Sequence, residues 1–158
     1  MMLNRRGTTR RSGATVVETA VVLLMVTILV MAIFEYGRVM MVREIVDNAA
    51  REGARQAVAG SSVYSTAQIQ QIVFDRLAGQ RLLTNAGQPL APSDIQVYWA
   101  NPANGQPMSP DSTWTNAPFG QTIAVKVPAR FKPMLPTFGF LPTTIPMTSM
   151  AMAQTEGN

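Results

Sequence analysis

Residues 10–34 read RRSGATVVETAVVLLMVTILVMAIF, and the 21 residues from Ala14 to Phe34 are mostly Val, Leu, Ile, Met and Ala, with Glu18 their one ionisable side chain. A helix crossing a ~30 Å hydrocarbon core needs about 20 such residues, so one membrane-crossing helix is expected over 14–34. A secretory signal peptide also starts basic and turns apolar, but its apolar centre is about 7–15 residues and ends at a small-residue cleavage site. Here the run is longer and leads straight into helix-compatible sequence. A soluble domain of this size rarely encloses so long a helix that is apolar all round.

Charge sets the expected orientation. Arg5, Arg6, Arg10 and Arg11 precede the run, while Glu35, Arg38, Arg43, Glu44 and Asp47 beyond it nearly cancel. The positive-inside bias then puts the N-terminus in the cytoplasm and the remainder outside. The net charge of +4 equals those four arginines, leaving nine basic and nine acidic residues after Gly13. The high pI is therefore no sign of a nucleic-acid partner.

Composition narrows the chemistry further. With no His and no Cys, a zinc site of the usual kind, a thiol nucleophile, a Ser–His pair and a disulfide framework are all excluded. Carboxylates alone could still support an enzyme, but Asp75, Asp94, Asp111 and Glu156 lie far apart in sequence without a recognisable pairing. No internal repeat, phosphate-binding glycine loop or EF-hand pattern is present, so no cofactor and no small-molecule substrate are expected.

Helical sequence continues past the apolar run. No proline interrupts Phe34 to Ala59, and Met41, Val42, Ile45, Val46, Ala49, Ala50, Gly53, Ala54 and Ala57 recur at three- and four-residue steps as one stripe. Its distal half is made of small residues, which let another element approach closely. Glu35, Arg43, Glu44, Asp47, Arg51, Glu52 and Arg55 fall opposite, with Asp47 and Arg51 at a favourable i,i+4 spacing. One helix from Ala14 to Ala59 would extend about 70 Å, with Gly37 and Gly53 as its weak points.

Glu18 needs a physical account, because an ionisable side chain inside a spanning helix is costly. Two readings are open. Glu18, one turn into the run, reaches the cytoplasmic headgroup layer; or cleavage after Gly13 creates an amine at Ala14, and Glu18 pairs with such an amine on a neighbouring subunit.

The basic leader, Gly13, and Ala14-Thr15-Val16-Val17-Glu18 ahead of an uninterrupted apolar helix resemble the type IV prepilin signal. Glu35-Tyr36-Gly37-Arg38 and Asn48-Ala49-Ala50-Arg51-Glu52-Gly53-Ala54-Arg55 narrow the resemblance to the TadE-like pseudopilins of tight-adherence (Flp) pili. It covers roughly Arg11 to Gly60. One departure is Thr19, where the family usually carries an aromatic residue directly after the glutamate. The resemblance implies a structural subunit of the bacterial inner membrane, not an enzyme, cut between Gly13 and Ala14 by a prepilin peptidase. Its implied partners are the membrane and other pilin-like subunits, with Glu18 setting register; Glu35, Gly37, Arg38, Asn48, Ala50, Arg51, Gly53 and Arg55 are the motif positions. An uncleaved single-pass protein whose outer domain binds another envelope component is the alternative.

Beyond Gly60-Ser61-Ser62, a short amphipathic helix is expected over about Thr66 to Ala78, ended by Gly79. Thr66 is its expected N-cap, without a capping box because Ile69 stands three places on. All eleven prolines lie after residue 88, where strand character begins. Alternation through Ile95-Val97-Trp99, Ile123 to Phe131, and Ile145 to Ala153 gives about three antiparallel strands, with Pro128 and Pro146 at edges or bulges. The 101–118 connection is read as a surface loop, or as a partner-binding loop anchored by Trp114. The 133–142 stretch is apolar for a connection, and is either buried or docked on a subunit or lipid. The expected architecture is α+β and pilin-like: a leader (1–13), a transmembrane helix (14–34), its extracytoplasmic extension (35–60) and a small outer domain (61–158).

Overall fold

The computed structural model describes residues 10–60, 63–109, 114–118, 120–134 and 143–155. The arginines at 5 and 6, Asp111, Glu156 and most of the 133–142 stretch lie outside them. A single helix, α1 (Arg10–Ala59), runs unbroken through Gly37 and Gly53. Thr19 and Thr27 donate their hydroxyls to the carbonyls of Thr15 and Leu23, each at 2.8 Å. Those polar groups therefore need no water, which a helix in hydrocarbon requires.

Burial divides α1 in two. Side chains from Gly13 to Phe34 are exposed, whereas Val42, Val46, Ala49, Ala50, Ala54 and Ala57 are buried in the core. The stripe read from the sequence holds, except that Met41 is exposed and Ile45 half-buried.

Helix α2 (Thr66–Arg76) packs on the distal half of α1 through Ile69 and Val73. Its N-cap is Ser65, not Thr66, and a capping box is present: Gln68 N–H donates to Ser65 Oγ at 3.3 Å, and the Ser65 N–H donates to Gln68 Oε1 at 2.8 Å. Shifting the cap back one residue brings a glutamine to the third helical position, which Thr66 could not do. Gly79, with φ of +88°, turns the chain away after the helix in a conformation that side chains disfavour.

Among the described residues six strands form two antiparallel sheets, where about three strands in one sheet are expected from the sequence. β2 (Gln96–Ala100), β3 (Thr122–Val127) and β6 (Ser149–Gln154) make the larger, in the order β2-β3-β6; β1 (Leu82–Leu83), β4 (Arg130–Phe131) and β5 (Ile145–Pro146) make the smaller, in the order β1-β4-β5. The alternation from Ile123 to Phe131 is interrupted because Pro128 cannot donate to a ladder, so one expected strand becomes β3 and β4 in different sheets. Pro146 lies on the edge strand β5, as its missing donor requires.

Central strand β3 is buried on both faces. Ile123, Val125 and Val127 join the core with α1 and α2, and Ala124 on the other side is also fully covered. The 101–108 segment folds back over β2: the Met108 N–H donates to the Trp99 carbonyl, and the Tyr98 hydroxyl donates to the Gly105 carbonyl at 3.1 Å. Trp114 corrects the partner-binding reading. It is 1% exposed, and its Nε1 donates to Thr66 Oγ1 at 2.9 Å, so it seals the start of α2 from inside.

Candidate functional site

The apolar face of α1 is the largest unsatisfied surface of the molecule as described. Val16, Leu23, Leu24, Met25, Leu29 and Phe34 each stand more than half exposed. The helix is long and apolar enough to cross a membrane, with a mean hydropathy of 2.7 over its most apolar window. An array of this size left in water is strongly unfavourable, at about 25 cal/mol per Å² of apolar area. Gly13 and Ala14 are the fourth and fifth residues of α1, close to its N-terminal end. Glu18 is exposed one turn beyond Ala14, at i,i+4.

At the C-terminal end of the apolar run the expected motif is a clamp between helix and domain. Glu35 does not point away from the domain, as its place opposite the apolar stripe implied. Its Oε1 accepts the Met134 N–H at 3.1 Å across 99 residues, and both its oxygens receive the Arg38 guanidinium at 3.2 and 3.3 Å. Arg38 also lies 5.3 Å from the centroid of the Phe131 ring on β4, a cation–π contact. Thus Glu35 and Arg38 tie the smaller sheet to α1, while Tyr36 and Gly37 face outward.

The second motif has a packed side and a wet side. Ala50 and Gly53 are buried. A Cβ built on Gly53 would overlap Val73 Cγ2 of α2 and lie 3.3 Å from Val125 Cγ1 of β3. Glycine is what lets three elements meet there. Asn48, Arg51 and Arg55 are exposed, and with Glu52 and Arg76 they line an open groove of about 470 Å³.

The Asp47–Arg51 pair expected from spacing is absent among the described residues, and i,i+3 pairs form instead. Glu52 accepts Arg55 Nη2 at 2.9 Å and Nε at 3.1 Å, plus the Gln56 amide at 2.9 Å. Arg55 first and Gln56 second hold the Glu52 carboxyl down from its ordinary 4.5 to about 2. A carboxylate with a lowered folded value stabilises the fold above its unfolded pKa and loses that contribution as pH falls through the folded one. The stability difference between parent and Glu52→Gln, measured by urea unfolding, should be full above about pH 4.5 and gone near pH 2.

The dispersed carboxylates do not converge. Asp75 accepts from Gln71 and Asp94 from the Ala91 N–H, and no group of three or more acids that could hold a metal occurs among the described residues. The contacts described pack the domain on α1, and no nucleophile is assembled among these carboxylates.

An α+β domain clasped to the distal half of one long helix, whose other half is apolar and bare, suggests a single-pass membrane protein. Residues 13–55 match the family model described as TadE-like protein, so this segment is TadE-like and suggests a protein associated with tight-adherence pili. The match ends within α1 and leaves α2 and both sheets outside it. No curated protein and no solved structure matches the chain.

Proposed function

We propose that the chain is a minor pilin-like subunit that assembles or primes a tight-adherence pilus or a related secretion apparatus. It is held in the bacterial inner membrane by residues 14–34, with the N-terminus cytoplasmic and residues 61–158 as an outer domain on the helical extension 35–60. A prepilin peptidase removes residues 1–13. The observation that supports this most is that the TadE-like match spans both the bare apolar half of α1 and the motif residues that fasten the domain to it. Position also favours cleavage. The Gly13–Ala14 bond lies close to the start of α1, where a helix end frays easily and glycine weakens it by about 1 kcal/mol relative to alanine.

Assembly proceeds by lateral packing of apolar helices. Glu18 pairs with the Ala14 amine of a neighbouring subunit, so a wrong axial register leaves a carboxylate unpaired in a low-dielectric setting. The intact mass of membrane-extracted protein should match a chain starting at Ala14, and Gly13→Val should leave the leader attached. A native chain that retains Arg10 and Arg11 would instead favour the uncleaved envelope-binding protein. Glu18→Gln should insert and be cleaved normally but fail to co-purify with partner subunits; unchanged co-purification would remove the register role while leaving the topology intact.

A further inference from the structure

The bond from Met134 to Glu35 fixes the height of the outer domain along α1. Glu35 is the residue after Phe34, where the apolar run ends, so the segment that follows β4, at Pro133 and Met134, is level with that exit. Met134 turns its side chain outward, at 78% the most exposed large apolar side chain among the described residues. Lys132 beside it is exposed as well.

Exposed apolar side chains on α1 continue past this level through Tyr36 and Met40 to Met41. Met41 lies about 9 Å above Glu35 at 1.5 Å per residue. A bilayer of ~30 Å core and about 40–45 Å total thickness has roughly 5–8 Å of headgroup layer on each side. A membrane whose core ends near Phe34 therefore has its headgroup layer between Glu35 and Met41, and Met134 sits at the bottom of that layer. The charge at this depth is compensated as the location demands. Glu35 is shielded by Arg38 and by the Met134 N–H, and its side chain is only 14% exposed.

We propose that the Lys132–Met134 segment just past β4 docks on the headgroup layer of the same bilayer that α1 crosses, with Met134 at the acyl boundary and Lys132 on lipid phosphate. This gives the outer domain a second membrane contact beside its helix, so it cannot swing freely about the helix exit. The inference rests on α1 crossing the membrane.

Because the chain has no cysteine, Met134→Cys can carry a single polarity-sensitive fluorophore. The full chain is placed in vesicles of equal parts phosphatidylcholine and phosphatidylglycerol, with nitroxide high on the acyl chains as quencher. Phe34→Cys reports the span. Val63→Cys, just past the end of α1 and about 36 Å or more from Glu35 along it, reports the far end. Quenching at Met134 of at least half that at Phe34, with none at Val63, is the expected result. A Met134 label no more quenched than Val63, while Phe34 is quenched, overturns the docking and leaves the span standing. It does so equally if that label is shielded from aqueous quencher, which would mean a protein neighbour covers it. An unquenched Phe34 label removes the span and the docking together.

Discussion

Trp114→Ala should destabilise the α+β domain by about 3–5 kcal/mol, the range for emptying a large aromatic site in a packed core. Trp114 is 1% exposed and stands with Ile69, Val73 and Val125 in the central cluster. Its removal also leaves the Thr66 hydroxyl, at the first residue of α2, without its donor. Trp114→Phe separates the two effects, since it keeps a ring while deleting the bond, and should cost about 1–2 kcal/mol. Trp99→Ala is the control: that ring is half-buried on edge strand β2, and its one hydrogen bond, to Gln121, is a long 3.4 Å. Urea unfolding of the detergent-solubilised chain, followed by circular dichroism, reads all three. Equal losses for Trp114→Ala and Trp99→Ala would show that Trp114 is not the core residue of the pair.

Gly53→Ala and Gly37→Ala should move stability in opposite directions although the local helix chemistry is the same. Alanine gains about 1 kcal/mol over glycine in a helix interior. At Gly37 a new Cβ meets nothing within 4 Å, so that gain should appear in full. At Gly53 it would overlap Val73 Cγ2 and crowd Val125 Cγ1. Both neighbours are β-branched, fully buried and rotamerically stiff, so they cannot swing aside. Overpacking costs about 1–3 kcal/mol, which outweighs the helix gain and makes Gly53→Ala destabilising; Gly53→Val should lose roughly 3 kcal/mol or more. A stabilised Gly53→Ala would mean that α1, α2 and β3 do not meet at this point.

The two glycines show where the sequence stops being informative. Both look like weak points in a helix, and nothing local distinguishes them. The difference comes from Val73 and Val125, which are 20 and 72 residues further along the chain. Glu35 behaves likewise. On the helix wheel it belongs with the charged residues opposite the apolar stripe, and only the arrival of Met134 turns it toward the domain. The capping box is legible in principle, because Ser65 and Gln68 stand three residues apart, but the adjacent Thr66 is also a favoured cap by residue type and competes for the position.

What the sequence determined by itself is the long helix, its bare apolar half, the small-residue stripe and the presence of strands after the prolines. Each follows from a short-range period, 3.6 residues for the helix and two for the strands, or from the length of an apolar run set by bilayer thickness. Only the tertiary structure decided that the strands divide into two sheets at Pro128, that Trp114 belongs to the core, that Gly53 is a contact point and that Glu35 and Arg38 fasten the domain at the end of the apolar run. Those features depend on which distant residues come together, and local periodicity carries no information about which segments will pack against which.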